Sequence, residues 1–169
     1  TGFIGSHGKF TEAFGYWEAR IRFTSRDGMW SAFWIQSPTI GNTGNNPNAN
    51  GTEIDVVEHR NRDAGGTVIN NRSAINIHWD GYDVNHKKAG FITGDLGANS
   101  GAYHIYTLEW TPTFYKFFVD GALTWTYTAN ISQRSEFMIL SSEENKLCNF
   151  LLKEVYLGSI RRLHGKEYL

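Results

Sequence analysis

A chain of 169 residues with 40% hydrophobic content can bury one substantial core and is too short for two comfortable ones. The formal net charge of −1 argues against a polyanionic partner such as nucleic acid, and no apolar run approaches the ~20 residues needed to cross a bilayer. The single cysteine, Cys148, excludes an intrachain disulfide and leaves the redox compartment open. Aromatic residues reach 15%, and rings in excess of core needs often end in binding clefts.

The chain opens Thr1-Gly2-Phe3, with neither an initiator Met nor a signal peptide, and reads as an internal start. Trp17, Ala19, Ile21 and Phe23 alternate with Glu18, Arg20 and Arg22, the period-two pattern of a strand with one face in a core. Arg26-Asp27-Gly28 marks a turn, residues 30–35 the next strand, and the Asn- and Gly-rich residues 37–51 a long loop. That loop leads straight into Glu53-Ile54-Asp55-Val56-Val57-Glu58, three carboxylates in a β-branched run that favours an extended chain.

Alternate side chains of a strand share a face, so Glu53 and Asp55 point the same way. Strict alternation sends Glu58 to the other face, because five is an odd step. A β-bulge around Val56-Val57 that absorbs one residue brings all three acids together. Carboxylates that close resist joint ionisation, and at least one pKa rises. Glycoside hydrolysis uses such an arrangement: one carboxylate attacks or stabilises while one carboxylic acid keeps its proton for the leaving oxygen. The competing reading is a solvated acidic edge strand.

Further along, Ile75, Ile77 and Trp79 share one strand face, with Asn76 and His78 on the other. Residues 104–110 and 114–119 form two more strands, Asp120-Gly121 signals a hairpin into residues 122–127, and residues 136–140 complete the set. Short strands at this spacing, with no convincing helix before residue 145, predict an all-β antiparallel sandwich or jelly roll.

Gly15-Tyr16-Trp17-Glu18-Ala19-Arg20-Ile21, Gly28-Met29-Trp30-Ser31-Ala32-Phe33-Trp34, the acidic hexad, Tyr103-His104-Ile105-Tyr106-Thr107-Leu108-Glu109-Trp110 and Phe118-Val119-Asp120-Gly121 occur in that order. Over residues 1–144 this ordered set resembles glycoside hydrolase family 16, the laminarinase, lichenase, agarase and carrageenase group. The resemblance implies a concanavalin-like β-jelly roll with a carbohydrate cleft on its concave sheet. It implies Glu53 as nucleophile, Glu58 as general acid/base and Asp55 as the acid between them that tunes the nucleophile. The mechanism it implies is retaining, which needs carboxyl groups about 5 to 5.5 Å apart. The bulged spacing is similar to the laminarinase-like and red-algal-galactan branches, one residue longer than the lichenase and xyloglucan motif.

His78 resembles the family's cleft histidine, hydrogen bonded to a sugar or to the acids, and the alternation already sets it opposite Ile75 and Ile77. His59 and His104 read as structural. No pair of histidines has metal-ligand spacing with a carboxylate, so no metal site is expected. Trp30 and Trp34 sit where the family lines its sugar subsites, and Trp110 is a further candidate, with core packing as the alternative for each. Trp17 alternates with Ala19 and Ile21 and reads as core. Arg60, with Arg62, follows the acids and could contact substrate, including a sulfated or anionic sugar, or be a surface charge.

Two departures from the family stand out. The opening strands and the closing strand have no counterpart, so the jelly roll of residues 1–145 reads as incomplete at both ends, with uncovered edges. Residues 146–169 carry five basic residues against two acidic ones and place Leu147, Phe150, Leu151 and Val155 at helical spacing. This divergent tail reads as helical, or as a segment folded back as a substitute cover. The calcium that the family holds near its chain ends loses its supports for the same reason, and no other cofactor is expected.

The expected function is retaining endo-hydrolysis of a β-linked polysaccharide, β-1,3-glucan first and a red-algal galactan second. A lectin-like module of the same fold that binds carbohydrate without turnover is the alternative from another class, and a calcium-dependent acidic site unrelated to sugars is a third. The expected partner is a polysaccharide or oligosaccharide, with no nucleic acid and no membrane, for a monomer that works in an extracellular or periplasmic setting.

Overall fold

The protein is described here by a computed structural model covering residues 2–24, 26–96 and 101–144, together with the backbone of 156–163. Its described strands run β1 (Gly2–Gly5), β2 (Gly15–Arg22), β3 (Met29–Gln36), β4 (Glu53–Arg60), β5 (Ala74–Trp79), β6 (Lys87–Ile92), β7 (His104–Trp110), β8 (Tyr115–Val119), β9 (Ala122–Tyr127), β10 (Phe137–Glu144) and β11 (Tyr156–Leu163). They form two antiparallel sheets, one ordered β1-β10-β3-β4-β5-β6 and the other β11-β2-β7-β8-β9. The architecture is the all-β sandwich of a jelly roll, as the alternation implies.

Period-two burial builds the core. β2 buries Trp17, Ala19 and Ile21, β5 buries Ile75, Ile77 and Trp79, and β7 and β8 bury Tyr106, Leu108, Tyr115 and Phe117. These faces meet between the sheets in one apolar cluster. The opposite face of the β3-β4-β5 strands, with Trp30 and Trp34 of β3 beside polar residues of β4 and β5, forms the floor of the cleft described below.

Three strands carry no alternation to read. β1 is exposed at every position, β6 is exposed at five of its six, and β11 lies in the basic tail. In the tail the helical alternative is corrected over Tyr156–Leu163, which is extended and folds back to pair antiparallel with β2, with a register shift between Leu157 and Ile160. An open strand edge presents unpaired backbone N–H and C=O groups, which an extended partner satisfies and a helix does not. The helical spacing of Leu147 to Val155 lies outside the described residues. The loop of residues 37–51 contains a single helical turn, α1 (Pro47–Asn50), capped by Asn46, whose Oδ1 accepts the Ala49 N–H at 3.2 Å.

A buried polar cluster fixes the entry to β4. Ser37 N–H donates to the Thr52 carbonyl at 2.8 Å, Thr52 N–H donates to Glu136 Oε1 at 2.8 Å, and the Tyr115 hydroxyl accepts Ser132 N–H at 2.7 Å. Gly51 sits at φ +81°, and a Cβ there would run into the Ser37 side chain and Glu136 Oε1, so only glycine fits the approach. Glu136 is fully buried, and its Oε2 has no hydrogen-bond partner among the described residues. Burial pushes its carboxyl up to about 8.

Glu136 therefore holds a proton in the folded chain over a range where the unfolded chain has lost it. A carboxyl raised from 4.5 to about 8 makes stability fall as pH rises through that window, with the cost complete above it. Urea unfolding of Glu136→Gln at pH 5 and pH 8.5 is expected to show a pH dependence smaller by about 3 kcal/mol than that of the unmutated chain. An unchanged slope would place that titration elsewhere.

Candidate active site

β4 supplies the acids, and its bulge decides their direction. Asp55 pairs with Trp34 on β3 and Asn76 on β5, whereas Glu58 pairs with Ala32 and Ala74, so the register shifts by one residue between them. Val56 and Val57 both turn into the core, 3% and 0% exposed. Glu53, Asp55 and Glu58 consequently share one face and line a cleft of about 140 Å³ with Trp30 and Trp34 from β3 and Ser141 and Glu143 from β10.

The three carboxyls have different surroundings. Glu53 Oε2 accepts a short hydrogen bond from the Tyr82 hydroxyl and another from Gln36 Nε2 at 3.1 Å, and Gln36 Nε2 also donates to the Tyr82 oxygen at 2.6 Å. Burial, then the charge of Asp55, push Glu53 up to about 7, against the pull of Tyr82, His78 and Gln36. Asp55 is buried, 5% exposed, and burial followed by the charge of Glu58 raises its carboxyl well above the usual range. Glu58 accepts from Trp30 Nε1 at 2.8 Å on Oε1 and, in a short contact, from Asn76 Nδ2 on Oε2.

Asn76 owes its position to β6. Its register partner is Gly90, where a Cβ would collide with the Asn76 carboxamide oxygen. His78 stands beside Asn76 on the same face, its Nε2 3.3 Å from Asp55 Oδ2 and its Nδ1 2.8 Å from Nε2 of His86. Burial lowers the pKa of both imidazoles, and neutral rings suit a chain in which His86 Nε2–H donates to His78 and His78 Nε2–H to Asp55. Glu53, Asp55 and His78 each offer a donor atom within 4.8 Å of the others, a grouping that could hold a divalent cation. Within this grouping Glu53 Oε2 already accepts from Tyr82 and Gln36, and His78 Nε2 lies against Asp55 Oδ2.

The predicted aromatic and basic residues divide. Trp30 is 41% exposed on the cleft, and Trp34 borders it with Nε1 donating to Ser141 Oγ at 3.1 Å. The Arg60 guanidinium lies 3.5 Å over the Trp30 ring, its Nε is buried without a partner, and no described carboxylate lies within ion-pair reach. Arg62 pairs with Asp27 at 3.0 Å on the surface. His59 stacks on Phe23, and His104 pairs with Asp120 at 2.6 Å, both away from the acids.

Trp110 is a correction. It belongs to β7 in the other sheet, is 0% exposed, packs against Trp17 and Tyr115 and donates Nε1–H to the Ser132 carbonyl at 3.1 Å. The alternation Tyr106, Leu108, Trp110 points it into the core, so it cannot line the cleft.

Sequence reasoning missed Gln36, Asn76, Tyr82 and His86 around the acids, and Ser141 and Glu143 on the cleft wall. Gln36 and Asn76 carried a signal, since each stands two positions from a cleft residue on its own strand, Trp34 and His78. Tyr82 and His86 arrive from the connection between β5 and β6, where no period exists to follow.

The Glycosyl hydrolases family 16 model matches residues 2–145. Among curated relatives, the keratan-sulfate endo-1,4-beta-galactosidase of Sphingobacterium multivorum is 32% identical over 127 residues, 75% of this chain and 28% of that protein. The glucan endo-1,3-beta-glucosidase A1 of Niallia circulans is 29% identical over 133 residues, 76% of this chain and 18% of that one. This chain thus spans less than a third of either relative. A solved family 16 endo-glucanase of Bacteroides ovatus, in complex with G4G3G-2F-DNP, superposes with a TM-score of 0.70 at 19% identity, over 85% of this chain and 61% of that one. With the match spanning most of its length and the acids gathered on one face of β4, the chain belongs to glycosyl hydrolase family 16.

Proposed function

We propose that the chain is a retaining endo-hydrolase of a β-linked polysaccharide, with β-1,3-glucan as the first candidate substrate. The observation that carries this reading is the convergence of Glu53, Asp55 and Glu58 in one cleft, each with different partners. Glu53 attacks the anomeric carbon as the glycosidic bond breaks, and Glu58 gives its proton to the departing oxygen. Water then attacks the same carbon, its proton passes to Glu58, and Glu53 leaves as a carboxylate. Asp55, held by His78, keeps the two working carboxyls apart in charge. Trp30 and Trp34 offer ring faces to pyranose faces. A polymeric substrate favours work outside the cytoplasm, in an extracellular or periplasmic setting.

β-1,3-glucan is favoured by the likeness to the Niallia glucanase. A second reading, a galactan of the sulfated kind, is favoured by the likeness to the keratan-sulfate galactosidase and by Arg60, a cation stacked on a cleft tryptophan with no carboxylate partner among the described residues.

Release of reducing ends from laminarin, lichenan and agarose is expected from the unmutated chain, with Glu53→Gln and Glu58→Gln each lowering the rate at least about a thousandfold. Binding of laminarin with no product from the unmutated chain would instead identify a lectin-like module. Because Glu53 must be ionised to attack and sits at about 7, kcat/KM is expected to fall as pH drops below about 7. A profile flat down to pH 5 would count against Glu53 as nucleophile. For the galactan reading, Arg60→Gln is expected to reduce hydrolysis of a sulfated galactan about tenfold more than that of its desulfated form.

A further inference from the structure

The connection between β5 and β6 is pinned at both ends. Asp80, its first residue, is buried at φ +62°, receives the Asn45 N–H on both carboxylate oxygens at 3.0 and 2.9 Å, and pairs with Lys87 Nζ at 2.5 Å at the start of β6. Trp79 Nε1 donates to Asn45 Oδ1 at 3.3 Å, so the long loop of residues 37–51 braces the same point. From this fixed base Tyr82 reaches over Glu53: the residue is 55% exposed, yet its hydroxyl hydrogen bonds Glu53 within the acid cluster.

Both donors that reach Glu53 converge on one atom. The Tyr82 hydroxyl and Gln36 Nε2 meet Oε2, and Gln36 also meets the Tyr82 oxygen, closing a three-membered ring of contacts. No hydrogen bond from a described residue reaches Oε1. A carboxyl group otherwise rotates broadly about its last torsion, and a nucleophile must present one lone pair along the line of attack.

We propose that Tyr82 and Gln36 are positioning residues that clamp Oε2 of Glu53 and so select Oε1 as the atom that attacks the sugar. This rests on the retaining reading above. The Oε1–C1 bond forms as the C1–O bond breaks, the electron pair of the latter goes to the leaving oxygen, and that oxygen takes the proton of Glu58. In the covalent intermediate Oε2 is the ester carbonyl, still facing the same two donors. When water cleaves the ester, the charge returning to the carboxylate finds them in place.

The test uses the full chain and whichever of laminarin, lichenan or agarose it hydrolyses. Tyr82→Phe and Gln36→Leu are each expected to lower kcat about tenfold with KM within about twofold, and the double variant to lose little more than either alone, because the two act as one clamp. Asp80→Asn, which touches neither the acids nor the clamp, is expected to lower kcat in the same direction by loosening the loop. A second readout needs no turnover: the carbon-13 titration of the Glu53 carboxyl. It faces Asp55 on its own strand, His78 on β5, Gln36 on β3, Tyr82 on the loop and buried Glu136 behind it. Loss of the phenol donor in Tyr82→Phe is expected to move its midpoint upward, since that bond favours the ionised form.

Multiplicative losses in the double variant, full kcat in either single one, or an unmoved midpoint in Tyr82→Phe would overturn the clamp. Absence of turnover on all three polysaccharides would overturn the proposed function instead, and the midpoint would still decide whether Tyr82 holds Glu53.

Discussion

The site depends on one unpaired residue in β4. Without the register shift between Asp55 and Glu58, the third carboxyl would enter the apolar layer between the sheets, where an unpaired charge is not tolerated. The shift instead drives two consecutive valines, Val56 and Val57, into that layer. Core and cleft are therefore satisfied by the same distortion. Apolar burial at the two valines holds the strand in a form that returns Glu58 and Arg60 to the cleft, and the energy that maintains the chemistry comes from behind the sheet.

On that frame, neighbouring strands give each acid a separate character. Glu53 meets a phenol and an amide, Asp55 is buried against an imidazole, and Glu58 meets an indole and a carboxamide. Three carboxyls this close on one strand face already resist losing their protons together. Distinct partners add to that separation, and burial pushes Glu53 and Asp55 up. Tyr82 can serve because its own burial and the charge of Glu53 push its hydroxyl up, so it remains a donor.

Legibility followed burial. Strands with one face in the core announced themselves by alternation, as at Trp17, Ala19 and Ile21 or at Ile75, Ile77 and Trp79. β1 and β6 bury almost nothing and so left no period to detect. The acids were readable because three carboxylates in six positions are costly without a use, and the bulge followed from an odd step. For Trp110 the core alternative holds, and the alternation with Tyr106 and Leu108 carried that signal. Tyr82 and His86 depend on a left-handed turn at Asp80 and on an ion pair closed by Lys87, neither of which leaves a trace in periodicity. The extended tail segment answers an open edge on β2, a demand that lies outside its own residues.

Gly90 shows how far such influence travels. The carboxamide of Asn76 can lie where it does only because its neighbour on the outermost strand ends in a hydrogen atom. A methyl group there would tilt the amide off Glu58, although position 90 itself touches neither sugar nor acid. The Glu58 carboxyl on β4 thus owes one of its contacts to an empty space two strands away, and the rim of the sheet acts as a mould for the arrangement at its centre.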